Sequence, residues 1–220
     1  MVNINEYSIL AKEDWNDVDL GDKRLRDRAV KIGAEFLRNP FVSPPKMLKK
    51  FKDVKAFYRF MDSNKVTHER LVSPHIDKSR TRMHDSAIML AVQDSTTLTF
   101  KRNYDIEGLY DVGNIPGIVV HNAISVIPHP NHGIIDGLLH QIIHKRKPKK
   151  SRTEEDSEIE LWTESIECIG KPKPKTTIID VMDRGADASE VMNCSENFEK
   201  FAFQANFSIL VSAFKDDSRL

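Results

Sequence analysis

The chain has 220 residues, which is enough for one large domain or two small domains with a real hydrophobic core. Its 40% hydrophobic and 30% charged residues are typical of soluble globular proteins. It has neither an apolar run that could span a bilayer nor an N-terminal signal peptide, so we expect a cytoplasmic protein without a membrane partner. The two cysteines, Cys168 and Cys194, lie in no metal-ligand spacing, which indicates reduced thiols and argues against zinc.

The formal net charge of zero conceals a strong asymmetry along the chain. Residues 22–82 contain 17 Lys and Arg against seven Asp and Glu, whereas residues 1–21 and 88–220 are both net acidic. A basic stretch within an otherwise acidic chain is expected where one part of a protein contacts a polyanion.

The first helix that the sequence predicts has Asp22 as its N-cap and ends near Leu37, before Asn39-Pro40. Helical spacing separates an apolar face from a basic face. The apolar face contains Leu25, Ala29, Ile32 and Phe36, and the basic face contains Arg24, Arg28, Lys31 and Arg38. Most such charged faces are simply solvated, but the scarcity of acids on this one favours phosphate contact.

Two further helices are predicted, one starting at Ser43 with prolines in its first turn and one capped by Thr67 and reaching towards Met83. Pro74 is a candidate break in the last of them. The second helix has Met47, Phe51, Val54, Tyr58 and Met61 as its apolar stripe, and Lys46, Lys49, Lys50, Lys52, Lys55 and Arg59 as its bases. Three helices with basic outer faces predict a compact DNA-binding domain.

From Ile88 onward the pattern changes to strands. The apolar run Ile88–Val92 predicts a buried strand ending at Asp94, and Thr177–Met182 predicts a second one ending at Asp183. Alternatively, Asp94 caps a turn with the following hydroxyl residues. Two buried strands that deliver aspartates to one edge of a sheet are what a metal-dependent phosphoryl-transfer site requires.

The elements between and after these strands complete the prediction. A glycine-containing loop precedes a strand at Ile118–Ile127, whose hairpin partner is Ile134–Ile143. A helix at Glu154–Ile169 precedes the Asp183 strand, and a helix at Asp187–Lys200 and strand-forming residues from Phe201 to Phe214 follow it. The order strand, hairpin, helix, strand fits a ribonuclease-H-like core with a mixed sheet, and the fold class expected is α+β.

Four segments now match a known family. They are Trp15 with Leu20–Asp22, Arg24 and Arg28; Ala56–Phe60 with Asn64; Val92–Thr97; and Val181–Asp187, and His121, Gly137–Leu139 and Trp162 fit the blocks between the last two. In these the chain resembles the N-terminal half of bacterial DDE transposases of the insertion-sequence-4 family. One departure is Gly185, which stands where the family usually has a glutamate.

The resemblance implies a domain organisation. Residues 1–85 would be a helical domain that binds transposon ends, and residues 86–200 an incomplete ribonuclease-H-like catalytic core. Residues 201–220 would begin a β-strand insertion. In the family a third catalytic acid, a glutamate, follows that insertion, so we expect a truncated transposase that is inactive alone.

The resemblance also assigns roles to residues. Asp94 and Asp183 would be the catalytic acids that hold two Mg²⁺ ions, or Mn²⁺ in their place, with Arg184 and Asp187 supporting them. The residues expected to contact DNA are Arg24, Arg28, Lys31, Lys52, Lys55 and Arg59. The expected partner is the double-stranded DNA of transposon ends, together with a full-length transposase or a second copy of the chain.

Three functions of different classes therefore remain open. The first is a fragment of a cut-and-paste transposase. The second is a DNA-binding regulator that occupies transposon ends and blocks the full-length enzyme. The third is a ribonuclease-H-like metal nuclease unrelated to transposition.

Overall fold

A computed structural model describes residues 4–101, 109–112, 115–130, 132–144, 159–183 and 189–204. The chain divides into two compact units, residues 1–78 and 79–220. The first unit is helical, and the second combines a mixed sheet with helices. The predicted α+β class is thereby confirmed.

Five helices are described before the sheet: α1 (Ile4–Trp15), α2 (Lys23–Arg38), α3 (Pro44–Leu48), α4 (Phe51–Met61) and α5 (His68–Arg82). The sequence did not predict α1. The predicted caps of the helices α2 and α5 are correct. The Asp22 carboxylate accepts a hydrogen bond from the Arg24 backbone N–H at 2.7 Å, and the Thr67 hydroxyl accepts one from the Arg70 N–H at 3.3 Å. Helix α5 continues through Pro74, so the predicted break does not occur.

The single helix predicted from Ser43 onward is wrong, because the structure has two helices there. Lys49 lies between them with a φ of 55°, which interrupts the helical geometry and resets its phase. Met47 is buried as predicted, but α4 buries Phe57 and Phe60 instead of the predicted stripe. Three members of that stripe are exposed: Phe51 (82%), Tyr58 (50%) and Met61 (53%).

The core of the helical unit is one apolar cluster. It contains Val18, Leu20, Ala29, Ile32, Phe57 and Phe60. These residues come from α2, α4 and the segment after α1, so their burial joins the helices into one compact unit.

The sheet of the second unit contains β1 (Ile88–Thr99), β2 (Tyr110–Val112), β3 (Ile115–Pro128), β4 (Gly133–His144), β5 (Thr177–Met182) and β6 (Phe201–Gln204). The helices α6 (Ile159–Ile169) and α7 (Ser189–Asn197) accompany it. The strand order is β2-β3-β1-β5-β6, and β4 also pairs with β3. Strand β1 is antiparallel to β3 and parallel to β5, so the sheet is mixed as predicted.

Two expectations about β1 and its surroundings need correction. The strand runs on to Thr99, so Ser95 and Thr96 lie within it and the alternative of a turn at Asp94 is wrong. The long antiparallel ladder with β3, from Leu90 to Thr99, explains this extension. In addition, β2 lies where the sequence predicted only a loop.

The two faces of the sheet differ. On one face, Met89, Ala91, Ala123, Leu139 and Ile178 pack with Ile169 of α6. Further along the same face, Met182 packs with residues of α6 and α7. We call this the helix-covered face. The opposite face contains Leu90, Val92, Ile124, Val126, Ile179 and Val181.

Candidate functional site

Asp183 directly follows β5, and Asp94 lies within the neighbouring parallel strand β1, just beyond the part of β1 that pairs with β5. The pairing of β1 with β5 ends at Val92 and Val181, and each aspartate lies two residues beyond one member of this pair. Side chains two residues apart on a strand share a face. Asp94 therefore belongs to the face opposite the helices, and Asp183 lies near enough to act on it by its charge.

The two carboxylates interact electrostatically. Burial raises the pKa of Asp94 above its usual value, and the negative charge of Asp183 raises it further. The backbone N–H of Ser95 partly opposes this shift by hydrogen bonding to Asp94. A pair of adjacent like charges in a half-buried site is a recurrent feature of functional carboxylates.

Two amide side chains, those of Asn122 and Gln141, continue a row of polar residues from Asp94 across the sheet. Asp94 pairs with Asn122 of β3, and Asn122 in turn pairs with Gln141 of β4. The Gln141 Nε2 donates a hydrogen bond of 2.6 Å to the Asn122 Oδ1. The row thus offers oxygen atoms of the kind that Mg²⁺ prefers. The sequence did not identify Asn122 or Gln141, because their relation to Asp94 depends on the strand register.

A buried hydrogen-bonded network lies on the helix-covered face, behind Asp94. Gln93 and Ser95, the neighbours of Asp94, both bond to His121, with distances of 3.2 Å to Nε2 and 2.9 Å to Nδ1. The Gln93 Nε2 donates to the Asp180 Oδ1 at 3.4 Å, which leaves its Oε1 to accept from the imidazole. Burial lowers the pKa of His121 to about 4, so the ring is neutral and its Nδ1 accepts from Ser95.

The network ends at a buried ion pair. Asp180 accepts a 2.8 Å hydrogen bond from Ser195, and its Oδ2 lies 3.8 Å from the Lys200 Nζ. Lys200 also donates to the Ile166 carbonyl at 2.9 Å. Burial raises the pKa of Asp180 and lowers the pKa of Lys200, while each charge favours the ionised form of the other. We call these hydrogen-bonded residues the buried network: Gln93, Ser95, His121, Asp180, Ser195 and Lys200.

The buried network holds β1, the strand that contains Asp94, in place. It holds the residues on both sides of Asp94 through His121, which also contacts Trp162 edge to face at 4.7 Å between ring centres. Sequence reasoning missed this network. The one available signal was that Gln93 and Asp180 interrupt otherwise apolar strands.

The bases predicted to contact DNA lie on α2 and α4. Arg24, Lys31, Lys52, Lys55 and Arg59 are exposed. Arg28 is half-buried, and its guanidinium lies 3.7 Å from the Asp53 carboxylate, which links α2 to α4. Arg184 and Asp187, the expected supporting residues, lie outside the described residues.

A concave surface of about 810 Å³ lies beside these bases in the helical unit. Its lining includes the cationic side chains of Lys12, Arg28, Lys31, Arg38, Lys49 and Lys50, and the acids Asp27, Glu35 and Asp53. The excess of cations suits a concavity that faces a phosphate backbone.

Comparison with known proteins bears on the helical part. No curated protein matches the chain, and within the described residues no helix is long and apolar enough to cross a membrane. Residues 9–66, about a quarter of the chain, match the family described as Transposase DNA-binding. The matched span includes Trp15, Arg59 and all the other bases predicted to contact DNA. The match supports a transposase-type DNA-binding domain at residues 9–66, with DNA as its partner.

Proposed function

We propose that the protein acts in DNA transposition, with residues 9–66 binding the double-stranded DNA of transposon ends. The observation that carries this proposal is the match of these residues to a transposase DNA-binding family, together with five exposed bases on α2 and α4. Exposed bases add affinity by displacing the counterions condensed on DNA. The Arg28–Asp53 pair would hold the two basic helices in a fixed relation.

We further propose that the second unit is a ribonuclease-H-like catalytic core of the insertion-sequence-4 type. The antiparallel strands β1, β3 and β4, followed by α6 and by β5 parallel to β1, support this assignment. Asp94 and Asp183 would be its catalytic acids. Their half-buried like charges, with Asn122 beside Asp94, are a donor set suited to a hard divalent cation.

In this proposal each residue has a defined task. Asp94 and Asp183 would hold Mg²⁺, or Mn²⁺, whose chemistry is to activate a nucleophile and stabilise the leaving oxygen in an in-line displacement at phosphorus. Asn122 would orient Asp94 from the neighbouring strand, and Gln141 would hold the Asn122 amide. The buried network would keep the Asp94 backbone in place, since small misplacements of catalytic groups cost large factors in rate.

DNA binding is tested by gel-shift titration of the purified chain with duplexes that carry the DNA flanking its gene. Binding should fall steeply with salt, and Arg59→Ala should weaken it and reduce the magnitude of the salt slope by about 1. Lys173→Ala is the matched control, because Lys173 is an exposed base outside the matched span. A chain that binds no duplex at low salt would rule out this function.

Cleavage assays with the same DNA distinguish a catalytic transposase from a DNA-binding regulator. Incubation with Mg²⁺ or Mn²⁺ that yields strand cleavage, lost in Asp94→Ala, would support a transposase. Specific binding without cleavage, combined with inhibition of a full-length transposase, would favour the regulator. Cleavage without preference for transposon ends would favour an unrelated nuclease.

A further inference from the structure

A second cluster of potential metal ligands lies on the helix-covered side of the sheet, whereas Asp94 belongs to the opposite face. It consists of His140 from β4 with Glu164 and Cys168 from α6. One ligand atom of each residue, a ring nitrogen, a carboxylate oxygen and the sulfur, lies within 4.8 Å of the other two. Glu164 and Cys168 are exposed, so an ion could reach them from solvent.

Two elements of the fold, α6 and β4, position these three residues. Glu164 and Cys168 are four residues apart on a helix, so their side chains lie on one face. In β4 the register slips, so that Ala123 pairs with His140 while Ile124 pairs with Leu138. Because Ala123 belongs to the helix-covered face, this bulge turns His140 towards α6.

Two features of β4 concern the His140 imidazole and its position. The Nδ1 of His140 is buried and has no hydrogen-bond partner among the described residues, which is costly for a polar atom. The Arg80 Nε donates to the Leu139 carbonyl at 2.8 Å, and this bond anchors the bulge beside His140.

We propose that His140, Glu164 and Cys168 form a binding site for a divalent transition-metal ion such as Zn²⁺. A nitrogen, a carboxylate oxygen and a thiolate sulfur are a ligand set typical of Zn²⁺ and unsuited to Mg²⁺. Ligand atoms lie about 2.0–2.3 Å from Zn²⁺, so modest rotation of the exposed Glu164 and Cys168 side chains closes the set around an ion. The fourth tetrahedral position is left for water.

The charges of the site agree with this assignment. A bound Zn²⁺ would be neutralised by the Glu164 carboxylate and the Cys168 thiolate, which offsets the repulsion from Arg80. Burial, Glu164 and Glu167 raise the pKa of the Cys168 thiol and Arg80 opposes only part of this rise, so the metal ion itself would have to displace the thiol proton. This site is independent of the proposed function in transposition.

The test uses Co²⁺ as a spectroscopic substitute for Zn²⁺, added to the full chain after metal removal and under reduction. The chain has only two cysteines, so a thiolate-to-cobalt charge-transfer band must arise from Cys168 or Cys194. We expect a near-ultraviolet band with the visible transitions of tetrahedral cobalt, displaced by Zn²⁺. Co²⁺ held by Asp94 and Asp183 has oxygen ligands and gives no such band.

The variants separate the outcomes. Cys168→Ser should abolish the band and Cys194→Ser should retain it, with circular dichroism used to verify that both remain folded. Glu164→Gln should weaken Co²⁺ binding by more than about tenfold, since even changes behind a metal ligand cost that much. No band in the wild-type chain, a band that persists in Cys168→Ser, or its loss in folded Cys194→Ser would each overturn the proposal.

Discussion

The indole of Trp15 at the end of α1 packs directly against the backbone of Gly33 in α2, so that a Cβ atom at position 33 would overlap two atoms of the indole ring. Glycine is normally a poor residue inside a helix, costing about 1 kcal/mol relative to alanine. Its presence in α2 is therefore explained by the close approach of Trp15.

Replacing Gly33 by alanine should destabilise the helical unit in spite of the better helix propensity of alanine. We expect a loss of about 1–3 kcal/mol, because the added methyl group forces the indole out of its packed position. Thermal and urea unfolding monitored by far-ultraviolet circular dichroism would measure it. In a Trp15→Ala background the same change should become neutral or stabilising, and a loss that persists there would show that the clash is not the cause.

The buried ion pair of Asp180 and Lys200 gives a second prediction. Both side chains are completely buried, so Lys200→Met would leave the Asp180 charge without its cation. Removing one partner of a buried pair typically costs about 3–5 kcal/mol. Urea unfolding of the variant should show a loss of this order.

A surface pair provides the control. Lys171 lies 2.6 Å from Glu199, but the side chains are 54% and 67% exposed, so Lys171→Met should change stability little. The double variant Lys200→Met/Asp180→Leu should recover much of the loss, because it removes both charges. Equal stability of the wild type and the single Lys200 variant would mean that the pair is not ionised in the folded protein.

Stability should fall as the pH is lowered from about 6.5 to about 4. The pKa of His121 is about 4 in the folded protein, against 6.5 for an ordinary histidine. In this window the unfolded chain binds a proton that the folded chain does not, so acid favours unfolding, by up to about 3 kcal/mol at the lower end. Equilibrium unfolding at a series of pH values measures the slope.

The variant His121→Gln isolates this effect. Burial also lowers the pKa of His140 and His84, which act in the same direction, and raises the pKa of Asp94 and Asp180, which act in the opposite one. These groups remain in the variant, so the difference in slope between the two proteins belongs to His121. Identical slopes would mean that His121 is not a buried neutral ring.

The sequence predicted most of what depends on local pattern. The strands before Asp94 and Asp183 were evident as short apolar runs, and the cap at Asp22 follows from a local hydrogen bond. Which residues of α4 face the core was not predictable. It depends on the positive φ of Lys49, a conformation that lysine rarely adopts and that nothing in the sequence indicates. The contact from Gln93 to Asp180 joins residues 87 positions apart, and only the strand register brings them together.

The site at Asp94 and Asp183 gives the last prediction, which concerns Mg²⁺. If these carboxylates share a cation, Mg²⁺ should stabilise the folded protein, by about 1.4 kcal/mol when its concentration is ten times its dissociation constant. Thermal unfolding with and without Mg²⁺ would measure the stabilisation.

Asp94→Asn should raise the stability of the protein without Mg²⁺ and reduce the stabilisation that Mg²⁺ provides. Without Mg²⁺ the variant should be more stable than the wild type, because burial and the neighbouring Asp183 disfavour a charge at position 94. With Mg²⁺ the stabilisation should largely disappear, since an amide oxygen is a weaker ligand for a hard cation than a carboxylate. Asp85→Asn, at an exposed position before β1, is the matched control and should keep the full response to Mg²⁺. An Asp94 variant that responds to Mg²⁺ as strongly as the Asp85 variant would place the bound cation elsewhere and remove the metal role proposed for Asp94.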